Sequence, residues 1–210
     1  ITQYVEGQNL QYLKKGTANA ESTTISFWVK SNKTGTYIVE IDDNDNSRNI
    51  NKSYTISSAD TWEKKTITFA GDTTGTLDND NGSSFRIMFW LAAGSSFTSG
   101  TLATSWESTT NANRAVGQVN LADSTSNEWY ITGVQLEAGT TASDFEFLPV
   151  DVNEKRCFRY FQTYTVMGTM GARNSTDVEG SFEFHTPMRS SPSASQKTVK
   201  VFRDMYAGTF

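Results

Sequence analysis

The chain of 210 residues carries a net charge of −5, with 20% charged residues, 12% aromatic residues and a single cysteine. This composition describes a folded protein and excludes an internal disulfide framework, because one cysteine has no partner. The acidic balance argues against a nucleic-acid binder, which needs a basic surface to displace phosphate counterions. No apolar run approaches the ~20 residues of a membrane span, so no membrane insertion is predicted.

Alternation of apolar and polar residues with a period of two dominates the first part of the chain. It predicts strands, listed in chain order, in TTISFWVKS, TGTYIVEID, WEKKTITFAG and FRIMFWLAAG. FRIMFWLAAG has apolar residues on both faces, which predicts a central strand that is covered on both sides. A further amphipathic strand is predicted to begin at Trp129. Clusters of Gly, Ser, Thr, Asn and Asp separate the strands and supply turns. Short strands with almost no helical periodicity predict an antiparallel β-sandwich over residues 1–150.

A boundary is predicted near residue 150, where this pattern changes. Residues 151–210 are expected to form the start of a second small β domain, or an oligomerisation segment, that is incomplete within this chain. A short helical turn capped by Asn153 is predicted first, followed by an aromatic strand with apolar side chains on both faces. Such a strand needs cover on both sides, and Arg and Tyr are enriched at interfaces, which predicts an interdomain or intersubunit seam. The seam residues are Arg156, Phe158, Arg159, Tyr160 and Phe161.

No group of residues in the sequence supports catalysis. His185 is the only histidine and Cys157 the only cysteine, so neither a four-ligand zinc site nor a Ser-His-Asp triad is predicted. We interpret His185 as an edge-strand residue and Cys157 as a small buried hydrophobe. Most acidic residues lie in Asn/Asp-rich loops that are typical of solvated turns, which disfavours a glycosidase pair. We therefore predict a protein that is not an enzyme, and we assign no catalytic residue.

Two oxygen-rich loops, residues 42–46 and 78–82, raise the hypothesis of a calcium site. Calcium needs six to eight oxygen ligands from carboxylates, amides and carbonyls. The loops lack the glutamate that completes an EF-hand, and Asx-rich turns are ordinary between strands. No cofactor is therefore predicted, with calcium kept as an alternative. Its candidate ligands are Asp42, Asp45, Asp78 and Asp80.

Five tryptophans raise the question of sugar binding, because an exposed indole ring can stack on a pyranose. Four of them lie in predicted strands, where we expect packing in the core or between the sheets. These four are Trp28, Trp62, Trp90 and Trp129. The fifth, Trp106, lies in a polar loop and is the candidate glycan contact. The alternative for Trp106 is a plug over the core.

Six motifs follow one another in an order that resembles a known module. They are ITQYVEGQNLQ, ISFWVKS, YTISSADTWEKKTITFAGDTTGT, WYITGVQLEAG, TASDFE and CFRYF. The series resembles the β-sandwich module of many tailed-phage virion proteins, especially tail fibres and other particle appendages. In those proteins an aromatic strand, G-V-Q-L-E-x-G, a T-A-x-x-F-E segment and a C-x-R-Y-F/Y cluster end the module.

The resemblance implies a jelly-roll version of the sandwich and a non-enzymatic virion structural protein, located in a tail fibre or similar appendage on the exterior of the particle. Such fibres are usually trimers, so a homotrimer that assembles with other virion proteins is expected. A contact with host-surface polysaccharide is part of the same expectation. Two alternatives stay open: a carbohydrate-binding module proper, which would expose two or more aromatic residues, and a capsid decoration protein.

Overall fold

A computed structural model describes residues 1–162, 171–172, 178–179 and 186–190. The chain divides into two compact units, Ile1–Glu146 and Phe147–Phe210. The predicted boundary at residue 150 lies just after this division.

The first unit is built from eight strands in two antiparallel sheets. The strands are β1 (Thr2–Glu6), β2 (Thr23–Ser31), β3 (Gly35–Asp43), β4 (Arg48–Ile56), β5 (Glu63–Phe69), β6 (Ser83–Trp90), β7 (Glu107–Ser108) and β8 (Trp129–Ala138). One sheet has five strands in the order β1-β6-β3-β4-β7, and the other has three in the order β5-β2-β8. This arrangement confirms the predicted all-β antiparallel sandwich. The jelly-roll version of it stays a prediction.

Strand alternation places one face of each sheet in a shared core. In β2, Ile25, Phe27 and Val29 are buried, because every second side chain of a strand points to the same face. The Phe27 ring meets two rings of the other sheet edge-on, Tyr54 at 5.2 Å and Phe89 at 5.1 Å between centroids. Each such buried apolar side chain stabilises the fold by roughly 1.5–3 kcal/mol. Aromatic packing between the sheets therefore holds the sandwich together.

Strand β4 was not predicted from the sequence. It pairs with β3 in continuous register, from Gly35 opposite Ile56 to Asp43 opposite Arg48. The segment shows no clear alternation of apolar and polar residues, because Asn49 and Asn51 are polar and yet buried. Central strand β6 lies between β1 and β3, as predicted. Its inner face is buried, and its outer face is half-buried.

A long segment, residues 91–128, covers the outer face of the five-stranded sheet. Besides β7 it holds a one-turn helix, α1 (Ser95–Thr98), and two 3₁₀ turns. Arg114 of this segment donates from Nε to Oε1 of the fully buried Glu40 at 2.8 Å, and Trp90 Nε1 donates to the other carboxylate oxygen at 2.6 Å. Burial raises the pKa of Glu40, although both donors favour its charged form. The outer face of this sheet is therefore a second, polar interior.

A buried lysine joins the two sheets. Lys15 has a side chain that is only 3% exposed, and its Nζ lies 2.5 Å from Asp43 Oδ2 and 3.1 Å from Asp72 Oδ2. The same ammonium donates to the carbonyl oxygens of Thr74 at 2.8 Å and Gly75 at 2.9 Å. Asp43 ends β3 of one sheet, and Asp72 follows β5 of the other. One cation therefore holds the ends of both sheets.

Asp72 receives further donors. Arg48, the first residue of β4, binds its two carboxylate oxygens through Nε at 2.7 Å and Nη2 at 3.1 Å. Burial opposes ionisation of Asp72, but the hydrogen bonds from Arg48, from the Thr74 N–H and from Lys15 outweigh it and lower the pKa of Asp72. The carboxylate is therefore held in its charged form as a partner for both cations.

Replacing Lys15 with Met keeps the aliphatic bulk but leaves Asp43 and Asp72 buried with less compensating charge. We expect Lys15→Met to lower the free energy of unfolding by about 3–5 kcal/mol, measured by urea denaturation. Lys14→Met is the matched control, because Lys14 pairs with Glu21 on the exposed surface and such pairs contribute about 1 kcal/mol or less. Equal small losses in the two variants would contradict the role given to Lys15.

The described part of the second unit begins with a helix, α2 (Val150–Phe158). Two-residue strands β9 (Gly171–Ala172) and β10 (Val178–Glu179) pair antiparallel. Apart from residues 159–162 and 186–190, the remaining residues of the predicted second domain, His185 among them, lie outside the described residues.

The predicted aromatic strand at residues 156–161 is wrong. Arg156 and Phe158 belong to helix α2, and the next two residues form a turn. Lys155 and Arg156 in the last turn and Asp151 in the first complement the helix dipole. Cys157, predicted to be buried, is exposed. Local helix propensity and favourable end charges outweigh the short aromatic run that suggested a strand.

Candidate functional site

The outer face of the three-stranded sheet carries exposed aromatic side chains. Trp28 of β2 points away from the core, because its neighbours Phe27 and Val29 fill the inner face. Trp28 and Trp62 are each 42% exposed and Tyr130 is 43% exposed. These rings come from three different strands or their ends. They therefore meet only in the folded sheet.

Strand register brings two lysines among these rings. Trp28 lies opposite Lys64 of β5, and Lys30 lies opposite Tyr130 of β8. The Lys30 ammonium lies 5.7 Å from the centroid of the Trp62 ring and 4.8 Å from that of Tyr130. Both distances are within the range of cation–π attraction. We call these five residues, Trp28, Lys30, Trp62, Lys64 and Tyr130, the aromatic face.

A bulge in β8 adjusts the sheet beneath Trp28. The register between β2 and β8 shifts between Ser26 and Trp28, and Gly133 opposite the shift has a φ of +58°. A Cβ atom on Gly133 would lie 3.5 Å from the Trp28 ring and 3.8 Å from the ring of Phe145. Glycine is favoured there because of its backbone conformation, which a side chain would strain. The bulge therefore lets the Trp28 and Phe145 rings lie close over the main chain.

The two lysines of the aromatic face lack acidic partners. Within the described residues, no carboxylate oxygen lies within 4.0 Å of the ammonium of Lys30 or Lys64. Other cations of the first unit do form ion pairs: Lys14, Lys15, Lys33, Arg48, Lys65, Arg86 and Arg114. The nearby Glu128 accepts a hydrogen bond from the Tyr130 hydroxyl at 2.7 Å, which raises the pKa of Tyr130. The face thus combines exposed rings with two ammonium groups that form no ion pair among the described residues.

Trp106 covers the core, which is the alternative that the sequence left open for it. Its Nε1 donates to the carbonyl of Ala70 at 2.7 Å, and its ring centroid lies 6.1 Å from that of Phe85. The buried Lys15 ammonium lies 5.2 Å from the same ring. Trp106 is half-buried and packs against the core cluster. The structure therefore gives it a packing contact, and its expected glycan contact has no support from its surroundings.

The prediction that Trp28 and Trp62 pack in the core is wrong, because both lie on the outer face of the sheet. Packing between the sheets is confirmed for Trp129, whereas Trp90 lies on the outer face of the five-stranded sheet and packs against the covering segment. The Trp129 ring lies 5.8 Å from Phe89, and the Trp90 ring lies 5.2 Å from Phe97.

The four candidate calcium ligands have different environments. Asp42 is buried and accepts a hydrogen bond from Arg86 Nε at 2.6 Å. Asp45 accepts from the main-chain N–H of Asp78 at 3.0 Å, and Asp80 accepts from that of Gly82 at 2.7 Å. Across the described residues, no three acidic, histidine or cysteine side chains form a group that could hold a metal. The calcium site stays a prediction that the geometry does not support.

The predicted seam residues lie in the second unit at the end of α2 and just beyond it. Tyr160 and Phe161 are exposed, and Phe158 and Arg159 are half-buried. The main-chain N–H of Arg189 donates to the carbonyl of Arg159 at 2.9 Å. The seam itself stays a prediction, now carried by a helix end and the residues after it.

Comparisons of the chain with protein-family models, with curated proteins and with solved structures gave no match. Among the residues described, no helix has the length and apolar character needed to span a membrane.

The packing of the two kinds of tryptophan predicts different effects on stability. Trp106→Ala removes a half-buried ring and its hydrogen bond, so we expect the free energy of unfolding to fall by about 2–3 kcal/mol. Trp28→Ala removes an outward-facing ring and should cost about 1 kcal/mol or less. Urea denaturation of the two variants measures the difference. A larger loss for Trp28→Ala would mean that the aromatic face is a structural element of the sandwich.

Proposed function

We propose that the protein is a non-enzymatic structural component of a tailed-phage virion, in a tail fibre or similar exterior appendage, and that its aromatic face contacts host-surface glycan. The order of the sequence motifs supports the virion assignment. One observation carries the glycan contact: the exposed rings of Trp28, Trp62 and Tyr130 share one face of a rigid sheet.

The chemistry of a sugar ring suits this surface. One face of a pyranose presents C–H groups, which pack on the electron-rich face of an aromatic ring. Contiguous exposed apolar patches commonly mark a binding surface, whereas single exposed rings do not. The strands hold these rings in place before any ligand arrives, so little conformational entropy is lost on binding.

A carbohydrate-binding module proper would use the same face in the same way. A capsid decoration protein would instead use the face, or the helix-end seam, against other virion proteins. Sugar binding by the isolated chain separates the decoration alternative from the other two, and the native mass bears on the appendage assignment.

The appendage assignment predicts a homotrimer. Light scattering of the purified chain over a range of concentrations should give a constant native mass of three chains. Phe161→Ala, which removes an exposed ring at the predicted seam, should shift that mass toward the monomer. A stable monomer at every concentration would contradict the fibre assignment and favour a decoration or carbohydrate-binding module.

Glycan binding by the aromatic face predicts a loss in Trp28→Ala and in Trp62→Ala. Retention of each variant on immobilised host-surface polysaccharide should fall about tenfold or more. We expect the stacking of a sugar on an aromatic ring to contribute on the order of 1–3 kcal/mol, as the stacking of a nucleic-acid base does. Tyr4→Ala is the matched control, since Tyr4 is an exposed aromatic residue on β1 of the other sheet. Its retention should stay that of the wild type. Retention that survives both tryptophan changes would show that the assigned face is wrong.

A further inference from the structure

We infer that the ligand of the aromatic face is an acidic saccharide, whose anionic group pairs with Lys30 and Lys64 while its ring stacks on Trp28. This inference rests on the proposed function and adds the chemical class of the glycan.

The two lysines are placed around Trp28 at the distances that such a ligand needs. Lys64 lies directly opposite Trp28 on β5, where paired residues have Cβ atoms about 4.5–5.5 Å apart. Lys30 lies two residues along the same strand, about 6.5 Å away, and points to the same face. A pyranose that stacks on Trp28 therefore has an ammonium group across the sheet and another along the strand. A carboxylate or phosphate on its rim can reach either of them.

The Lys30 ammonium is held in position before binding. Its side chain is half-buried between the rings of Trp62 and Tyr130. A flexible lysine normally loses considerable side-chain entropy when it is fixed by a ligand. Here the two rings have already fixed it, so less entropy remains to be lost on binding.

The surrounding charges show why a local positive surface matters. The chain as a whole carries −5, which disfavours association with a polyanion. Three carboxylates lie near the face: Glu128 accepts from the Tyr130 hydroxyl, Glu137 accepts from the Ser143 hydroxyl at 2.6 Å, and the charge of Asp60 helps to raise the pKa of Tyr130. The Lys64 charge helps to lower the pKa of Glu137, after the larger effect of Ser143. Within the described residues, none of these carboxylates forms an ion pair with Lys30 or Lys64, so neither ammonium group is held in an ion pair.

The test compares saccharides that differ only in charge. The wild-type chain is applied to an array of acidic glycans, some with carboxylate and some with phosphate groups, beside their neutral counterparts. Polygalacturonate and its carboxyl-reduced form serve as the pair in solution. We expect acidic members to bind about tenfold more tightly than neutral ones, and this preference to weaken as salt is added. The array shows which of the two anionic groups is the ligand.

Variants then assign the preference to residues. Lys30→Gln and Lys64→Gln should reduce binding of the acidic glycan to the level of the neutral one, whereas Trp28→Ala should reduce both. Lys52→Gln is the matched control, because Lys52 lies on β4 of the other sheet, where its ammonium donates to the Thr104 carbonyl. It changes the net charge equally and should keep the preference. Thermal unfolding of each variant shows that the fold is intact.

The outcomes separate the two proposals. Equal binding of acidic and neutral glycans would overturn the acidic-saccharide inference and leave the proposed glycan contact standing. An equal loss of acidic-glycan binding in Lys52→Gln and Lys30→Gln would also overturn that inference, because it would reflect net charge alone. Binding to no glycan on the array, or binding that Trp28→Ala leaves unchanged, would overturn the proposed function of the face and the inference with it.

Discussion

The buried ammonium of Lys15 is the contact on which the arrangement of the two sheets depends. It neutralises Asp43 at the end of β3 and Asp72 beyond β5, and these strands belong to different sheets. A buried ion pair costs desolvation energy that only good geometry and full hydrogen bonding repay. Here two carboxylates and two main-chain carbonyls surround one cation. The loop after β5 is thereby fixed, and the Trp106 ring that rests on the ammonium is fixed with it.

The outer face of one sheet is covered, whereas the outer face of the other carries exposed aromatic side chains. The five-stranded sheet turns acidic and amide side chains outward, and residues 91–128 cover them through the Arg114–Glu40 ion pair. Main-chain hydrogen bonds also hold this covering segment. The N–H of Val119 donates to the carbonyl of Thr36, and the N–H of Leu121 donates to the carbonyl of Leu91. The three-stranded sheet of the same unit instead leaves Trp28 and Tyr130 at the surface. A surface for binding large flat ligands therefore exists on one side of the sandwich, and the other side is used for stability.

Sequence alternation predicted the architecture and most strands, because a half-buried strand shows its period directly. The same alternation also indicated which residues form the aromatic face. Trp28 and Lys30 share the strand face opposite Phe27, and Trp62, which lies just before β5, has the same two-residue spacing to Lys64 of β5. Residue type misled the interpretation, since tryptophan in a strand is most often packed. Two features were beyond the sequence: the clustering of rings from distant strands, and the glycine bulge at residue 133, which needs the register of β2 and β8.

The buried polar residues of β4 and the full length of helix α2 were not predicted from the sequence pattern. Asn49 and Asn51 are buried under a segment that is distant in sequence, so their burial depends on tertiary contacts that no local period reports. Aromatic density near Cys157 resembled a strand, yet the helix-forming residues before it extend α2 to Phe158. The burial of the two asparagines is set by distant parts of the chain, whereas the helix is set by local propensity and end charges. In the aromatic face, strand alternation and cross-strand register place Trp28, Lys30, Lys64 and Tyr130, and Trp62 lies just before β5. Rings and ammonium groups that a sheet fixes in this way are preorganised for a ligand from outside.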